Sequence, residues 1–375
     1  MSLKSLIVPR LAQRLLGEGQ LNAKRAKFER SRRRNAKPHI VEFFHDPTDP
    51  YSQLLATIIL QLSDKYTAEI LTHLVSPPDD NAAPEREKLA KYSQKDANLL
   101  AKKAGLEFTF QSLPPAQNTG LGDARRDTLG HYLGGMLYYG GEWYWGLDRL
   151  HYLESRLSQL GLRKDPSNSP IYAQPSVPSG SGDSGAVIHW YLSFRSPYTA
   201  IIPSRIKALA DAYNAELKLR FVLPMVMRGL PISPKKKAYI PLDTAREARR
   251  LGVPFGRICD PVGEPIERGY SLLPWAREQG REFEFTQSWF SAVFAKGVNA
   301  GSNGGMKKIV ERAGLSWAEA SKIIGNENWR AEAEKNRVEM MEHGIWGVPS
   351  FRVGKTITWG QDRLWVIEDA LRDNI

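Results

Sequence analysis

Cysteine is nearly absent. Cys259 is the one thiol in 375 residues, so the chain can close no internal disulfide and has no Cys-x-x-Cys pair with which to exchange one. Dithiol redox chemistry by the chain alone is excluded, and nothing in cysteine usage points to an oxidising compartment. Long apolar runs are missing too: no stretch approaches the roughly 18 to 20 residues that a membrane-spanning helix needs. No segment reads as a signal peptide with a small-residue cleavage site. A cytoplasmic location without an integral membrane segment is the expectation. The seven histidines include no i, i+4 pair, and no Cys/His cluster has zinc spacing, so no metal is expected. A glycine-rich nucleotide-binding motif is also lacking.

Net charge is scarce outside one segment. The formal net charge is +11, but residues 1–37 hold eleven lysines and arginines against Glu18 and Glu29, which leaves only +2 for the other 338 residues. This near-neutrality argues against a broad basic nucleic-acid-binding face on the globular part. In the arm, Leu6, Ile7, Leu11, Leu15 and Leu16 recur at helical spacing among basic residues, and residues 24–34 form a nearly continuous basic helix former. One or two helices are expected there. A solvated or domain-packed extension, contact with an anionic surface or partner, and an exchanging dimer arm are the readings open to it.

What is present is a repeat. Trp145, Gly146, Asp148, Arg149, Leu150, Glu154 and Leu157 recur 214 positions later as Trp359, Gly360, Asp362, Arg363, Leu364, Glu368 and Leu371. Earlier in each half the offset is 147: Pro50 and Tyr51 pair with Pro197 and Tyr198, and Tyr92, Asp96, Gly105 and Phe108 with Tyr239, Asp243, Gly252 and Phe255. Self-similarity of this kind predicts a duplicated unit, and the change of offset leaves 67 extra residues in the second half between Phe255 and Gly347. With 42% hydrophobic residues the chain can bury two cores of ordinary size.

Pattern and breakers divide the chain into a basic helical arm (1–37), a first unit (38–162), a flexible Pro/Ser/Gly linker (163–185) and a second unit (186–375) with an inserted helical region at about 256–344. In the first unit, residues 39–44 read as a buried strand, 51–66 as a helix, 68–74 as a strand and 88–105 as a helix closing on Gly105. A Gly/Pro/Asn-rich loop follows, then an aromatic hairpin at 136–145 turning on Gly140-Gly141, and a helix at 147–160. The second unit opens with a strand at 187–192 and a helix from Ser196 to about residue 214. Its insert carries helical periodicity at 270–279, 285–295, 304–313, 316–324 and 329–343, with Ser316 and Glu319 in capping-box form.

The order strand, helix, strand, helical region, Val-Pro, hairpin and final helix is that of a thioredoxin-type α/β sandwich. Ser196-Pro197-Tyr198, the segment from Pro234 through Tyr239 with Asp243, Gly347-Val348-Pro349-Ser350 and Trp359-Gly360-Gln361-Asp362-Arg363 resemble the DsbA-like superfamily. Within it they are most similar to the branch of 2-hydroxychromene-2-carboxylate isomerases and kappa-class glutathione transferases. The resemblance covers residues 186–372 closely and 39–160 in degenerate form. It implies an α/β chain of two tandem thioredoxin-like (DsbA-like) domains, the second with a helical subdomain inserted.

In that family the helix-start serine bonds the sulfur of bound glutathione, so the resemblance makes Ser196 the catalytic candidate and glutathione a co-substrate. A hydroxyl donor at a helix N-terminus favours a thiolate. Val348 and Pro349 correspond to the cis-proline turn that pairs with the peptide-like part of glutathione. Asp362, with Gln361 beside it, corresponds to the site of the γ-glutamyl end, and Lys236 to that of the glycine carboxylate. Each residue also has a plain structural role: Ser196 is a good N-cap, and Asp362 complements a helix dipole. The survival of Asp148 in the first half favours a structural Asp-Arg pair. Gly229-Leu230 departs from the family's Gly-Asn. The first unit looks inactive, because Asp49 stands for the serine and Gly134-Gly135 for Val-Pro.

The expected activity is a glutathione-dependent isomerase or transferase acting on a small-molecule electrophile or aromatic acid. A non-catalytic tandem thioredoxin-fold binding protein and a DsbA-family protein without redox cysteines are the alternatives. Intramolecular or homodimeric pairing of the thioredoxin-like domains is the expected association.

Overall fold

The computed structural model describes residues 3–80, 84–167, 169–230 and 232–374, with side chains from residue 7 onward. The first two residues of the arm and Asn168 of the linker lie outside the described residues. The chain packs as two compact units. An N-terminal unit comprises Leu21–Ser176 and Ile232–Lys236, and a C-terminal unit comprises Met1–Gln20, Val177–Pro231 and Lys237–Ile375. The basic arm is thus shared, with α1 (Leu3–Leu16) packing in the C-terminal unit and α2 (Glu18–Arg34) lying almost wholly in the N-terminal one.

In the N-terminal unit, β1 (Ile40–His45), α3 (Pro50–Lys65) and β2 (Glu69–Leu74) form a parallel crossover. Next come α4 (Arg86–Lys103), α5 (Gly120–Thr128), the hairpin of β3 (Met136–Tyr139) and β4 (Glu142–Trp145), and α6 (Leu150–Gln159). The sheet order is β2-β1-β3-β4. Gly140 and Gly141 turn the hairpin with φ of 60° and 88°, a conformation that a β-carbon would oppose. The helix α2 is fixed to this sheet by a two-pronged Arg25–Glu142 ion pair at 2.7 and 2.8 Å, and Tyr139 Oη donates to Glu29 at 2.9 Å.

The C-terminal unit repeats the plan. Its elements are β5 (Val187–Leu192), α7 (Pro197–Ala200), α8 (Pro203–Ala212), β6 (Glu216–Phe221), α9 (Pro234–Arg250), the hairpin of β7 (Ser350–Val353) and β8 (Thr356–Trp359), and α16 (Leu364–Arg372), with sheet order β6-β5-β7-β8. The first residues of α9 pack with the N-terminal unit. The two offsets carry pairing partner to pairing partner. Ile40 faces Glu69 as Val187 faces Glu216, and Glu42 faces Tyr138 as His189 faces Arg352.

Between α9 and β7 lie α10 (Glu264–Tyr270), α11 (Leu273–Glu278), α12 (Glu282–Phe290) with a π-helical turn to Ala295, α13 (Asn303–Arg312), α14 (Trp317–Ile323) and α15 (Trp329–Glu342). This insert shares one core with the sheet, in which Trp190, Leu192, Phe194 and Phe221 pack with Tyr270, Phe285, Trp289 and Phe290. Full burial of each such side chain contributes about 1.5–3 kcal/mol. Gly269 makes the packing possible, since a β-carbon there would come within 2.6 Å of the Trp289 ring.

Three local expectations need correction. The helix expected from Ser196 to about residue 214 is broken at Ile201 and Ile202, and Pro203 opens a second helix; a proline in the first turn suits a helix start and not its interior. The span 270–279 is likewise divided, with Ser271 and Leu272 between α10 and α11. The Gly/Pro/Asn-rich loop contains α5, held by Arg125, whose guanidinium forms two bonds to Glu42 at 2.7 and 2.8 Å, and by Asp123, which accepts from Ser76.

The linker expected to be flexible is tied down at both ends. Glu154 accepts the backbone N–H groups of Ile171 and Tyr172 at 2.8 and 3.0 Å. Glu368, 214 positions on, accepts those of Ser179 and Gly180 at 3.0 and 2.6 Å. A β-carbon at Gly180 would lie 2.3 Å from Tyr213 Oη, so only glycine lets the strap come this close.

Candidate functional site

The sequence Ser-Pro-Tyr-Thr follows β5 through a tight loop, and the insert braces that loop. Trp289 Nε1 donates to the Phe194 carbonyl at 3.0 Å, with its ring stacked on Phe194 at 4.5 Å between centroids. Tyr270 Oη accepts from the Phe194 N–H at 3.1 Å and donates to the Val222 carbonyl at 2.8 Å. Arg195 is drawn outward by a two-pronged pair with Asp260 at 2.9 and 2.8 Å. Neither Trp289 nor Tyr270 was marked by the sequence motifs. Their signal was only the apolar periodicity of the insert.

Ser196 caps α7. Its φ and ψ of −77° and 118° are extended, and its Oγ accepts the Thr199 N–H at 3.2 Å. Pro197 occupies the first helical position, where its missing N–H costs nothing. The same hydroxyl donates to the Val348 carbonyl at 3.4 Å, and the Val348–Pro349 peptide bond is cis. Ser196 and Val348 are half-buried and Pro349 is buried. Because α7 has only four residues, its dipole is short, and the hydroxyl is the main electrostatic resource of the site.

The next residue is fixed from the side. Tyr198 Oη donates to Asp243 Oδ2 at 2.8 Å, as Tyr51 Oη donates to Asp96 Oδ2 at 2.8 Å in the N-terminal unit. The offset of 147 had paired all four residues without revealing that they touch. Val348 packs against Tyr191, Met340 and Ile345 on the far face of the sheet, together with Trp359, whose ring lies 5.0 Å from that of Trp346.

The remaining candidates divide. Gln361 is buried, and its amide is already engaged: Nε2 donates to Glu247 at 2.7 Å, and Oε1 accepts from Arg205 at 2.8 Å. Burial and the neighbouring Arg250 charge bring the Arg205 guanidinium down to about 10. Asp362 is half-buried and pairs with Arg363 at 3.2 Å. Lys236 packs with the N-terminal unit, and burial pulls its ammonium below the usual lysine value. The structure thus brings Ser196, Val348 and Pro349 together, sets Gln361 into a buried polar chain, and places Lys236 in the other compact unit.

The equivalent place in the N-terminal unit is filled. Gly146 donates its N–H to the Gly135 carbonyl at 2.8 Å as Gly360 does to Pro349 at 2.9 Å, which aligns Gly134-Gly135 with Val348-Pro349. A β-carbon on Gly134 would lie 2.4 Å from Asp46 Cβ, and one on Gly135 3.0 Å from Asp49 Oδ2. The glycines let the loop close on Asp49, whose carboxyl is pushed up to about 7 by burial and then by the charge of Asp46. Its oxygens cap α3 by accepting from Tyr51 and Ser52. Among the described residues no cluster of three or more His, Cys, Asp or Glu side chains could hold a metal, and no helix is long and apolar enough to cross a membrane.

Comparison with known proteins places the C-terminal half in a family. Residues 187–372 match the family model described as DSBA-like thioredoxin domain. The 2-hydroxychromene-2-carboxylate isomerase of Pseudomonas putida is 20% identical over 193 residues, 49% of this chain and 94% of that protein. The isomerase of the same name from Sphingobium xenophagum is 21% identical over 197 residues, 50% of this chain and 98% of that one. A solved 2-hydroxychromene-2-carboxylate isomerase superposes with a TM-score of 0.44 at 18% identity, covering 50% of this chain and 95% of its own. A probable DsbA oxidoreductase from Streptomyces coelicolor gives 0.40 at 16%, covering 50% and 89%. Residues 187–372 are a DSBA-like thioredoxin domain.

Proposed function

We propose that the C-terminal unit binds glutathione and uses its thiol in an isomerase or transferase reaction of the 2-hydroxychromene-2-carboxylate isomerase type. The observation that carries this reading is the placement of the Ser196 hydroxyl 3.4 Å from the Val348 carbonyl. That contact is longer than the about 2.7–2.8 Å typical of O–H···O bonds, so turning the donor toward an incoming sulfur costs little. A hydroxyl donating to sulfur stabilises the thiolate over the thiol. The thiolate would add to a conjugated carbon–carbon double bond, with the electron pair moving to the conjugated carbonyl oxygen. After rotation about the new single bond the pair returns, the C–S bond breaks and the thiolate leaves. Nothing is oxidised or reduced, in keeping with a chain that has no dithiol.

In this reading Val348 offers its backbone to the peptide-like part of glutathione in short β-strand pairing. Asp362 faces the ammonium of the γ-glutamyl end. Gln361 is a positioning residue that ties the end of β8 to Glu247 and Arg205. A glycine-carboxylate role for Lys236 rests on its motif alone. The N-terminal unit is a degenerate second copy whose site is closed by Gly134, Gly135 and Asp49, and it serves as scaffold. The test is the ultraviolet thiolate absorbance of bound glutathione against pH. The bound thiol should titrate below its free value in the native chain and return toward it in Ser196→Ala. Identical titrations in the two proteins would sink the assignment.

A further inference from the structure

The arm's first helix presents an apolar face that the fold leaves uncovered. In α1, Ile7, Val8, Leu11 and Leu15 are 53%, 55%, 53% and 48% exposed. At 3.6 residues per turn, Ile7, Leu11 and Leu15 lie one above another with Val8 beside them, so the four make one stripe. The opposite side holds the helix to its unit. Pro9 is buried, close enough to Gly297 that a β-carbon there would come within 2.6 Å of it, and Arg249 Nη1 donates to the Leu16 carbonyl at 2.9 Å. The stripe therefore faces away from the body that carries it. Arg10 and Arg14, both exposed, flank it along one edge.

We propose that this face of α1 docks on an anionic lipid surface, the helix lying in the plane of the headgroups with its aliphatic stripe inserted and its arginines on the phosphates. Charge selects an anionic occupant, since α1 itself holds Lys4, Arg10 and Arg14 and no acidic residue. The stripe selects lipid among anions. Nucleic acid is bound through phosphate and base contacts made by cationic and polar groups, for which four aliphatic side chains do nothing, whereas an interfacial helix needs both components. A second copy is disfavoured because two copies of α1, each with Lys4, Arg10 and Arg14 and no acidic residue, would repel, and one short stripe falls well below the roughly 800 Å² per partner of a stable interface.

The experiment is sedimentation of the full chain with vesicles of phosphatidylcholine alone or mixed with phosphatidylglycerol. The native chain should pellet with the mixed vesicles, less so as salt rises, and remain in solution with the neutral ones. Leu11→Glu combined with Leu15→Glu should weaken partition at least about tenfold. Both sites are exposed, so circular dichroism should show the fold unchanged. As a second readout, Leu11→Trp should shift its emission to the blue on adding mixed vesicles. Equal pelleting of native and double-variant chains overturns the proposal, and so does equal binding to neutral vesicles. Duplex DNA capture that ignores the leucine changes, or a dimer that they dissolve, overturns it too.

Discussion

Replacing Asp49 by asparagine tests the account of the closed N-terminal site. The Asp49 carboxyl is raised from 3.8 to about 7, first by burial and second by Asp46. A group whose folded pKa is raised contributes stability that is fully present below the unfolded value and lost as pH rises through the folded one. The window thus runs from 3.8 to about 7. At face value a shift of this size is about 4 kcal/mol. Asp49 retains some solvent access, so about 1–3 kcal/mol is the working figure. Asparagine keeps an oxygen for the N–H groups of Tyr51 and Ser52 and carries no charge at any pH. Asp49→Asn should match the native chain near pH 4 and exceed it above pH 7 by that amount. The assay is urea denaturation across this range, with the N-terminal transition identified by hydrogen exchange of α3 amides. Parallel pH profiles for the two proteins would refute the reasoning.

Two further perturbations act on contacts that recur within each unit. Tyr198→Phe removes the 2.8 Å bond to Asp243, which is only 1% exposed, and should lower the stability of the C-terminal unit by about 1–3 kcal/mol in urea denaturation; an unchanged midpoint would count against it. Glu368→Ala strips Ser179 and Gly180 of their acceptor, so limited proteolysis should cut the strap near those residues several-fold faster, with no change at the Ile171–Tyr172 end held by Glu154.

The duplicated plan was legible because side chains at fixed offsets report on equivalent positions. Ile40 and Val187, or Glu42 and His189, occupy matching places in their sheets. Ser196 as a cap, Gly140-Gly141 as a turn and Ser316 capping α14 were legible because each rests on local backbone chemistry. Pro203 announced the break between α7 and α8, but the apolar run through Ile201 and Ile202 masked it. The bracing of the Ser196 loop by Trp289 and Tyr270 could not be read, because it joins residues 95 and 76 positions apart through one core. Gln361 shows the opposite failure: it lies in a site motif, yet its partners Glu247 and Arg205 come from other helices. The linker's composition signalled flexibility, while the two glutamates that fix it lay in the repeat motif all along.

Calorimetric titration of the full chain with reduced glutathione at neutral pH tests the central claim most directly. Saturable heat with one site per chain is expected, with clearly weaker binding in Ser196→Ala, where the loss of a charge-assisted bond is worth about 1.5–3 kcal/mol. No heat at about millimolar ligand, the weak end of specific binding, or equal affinity in the two proteins, would contradict it.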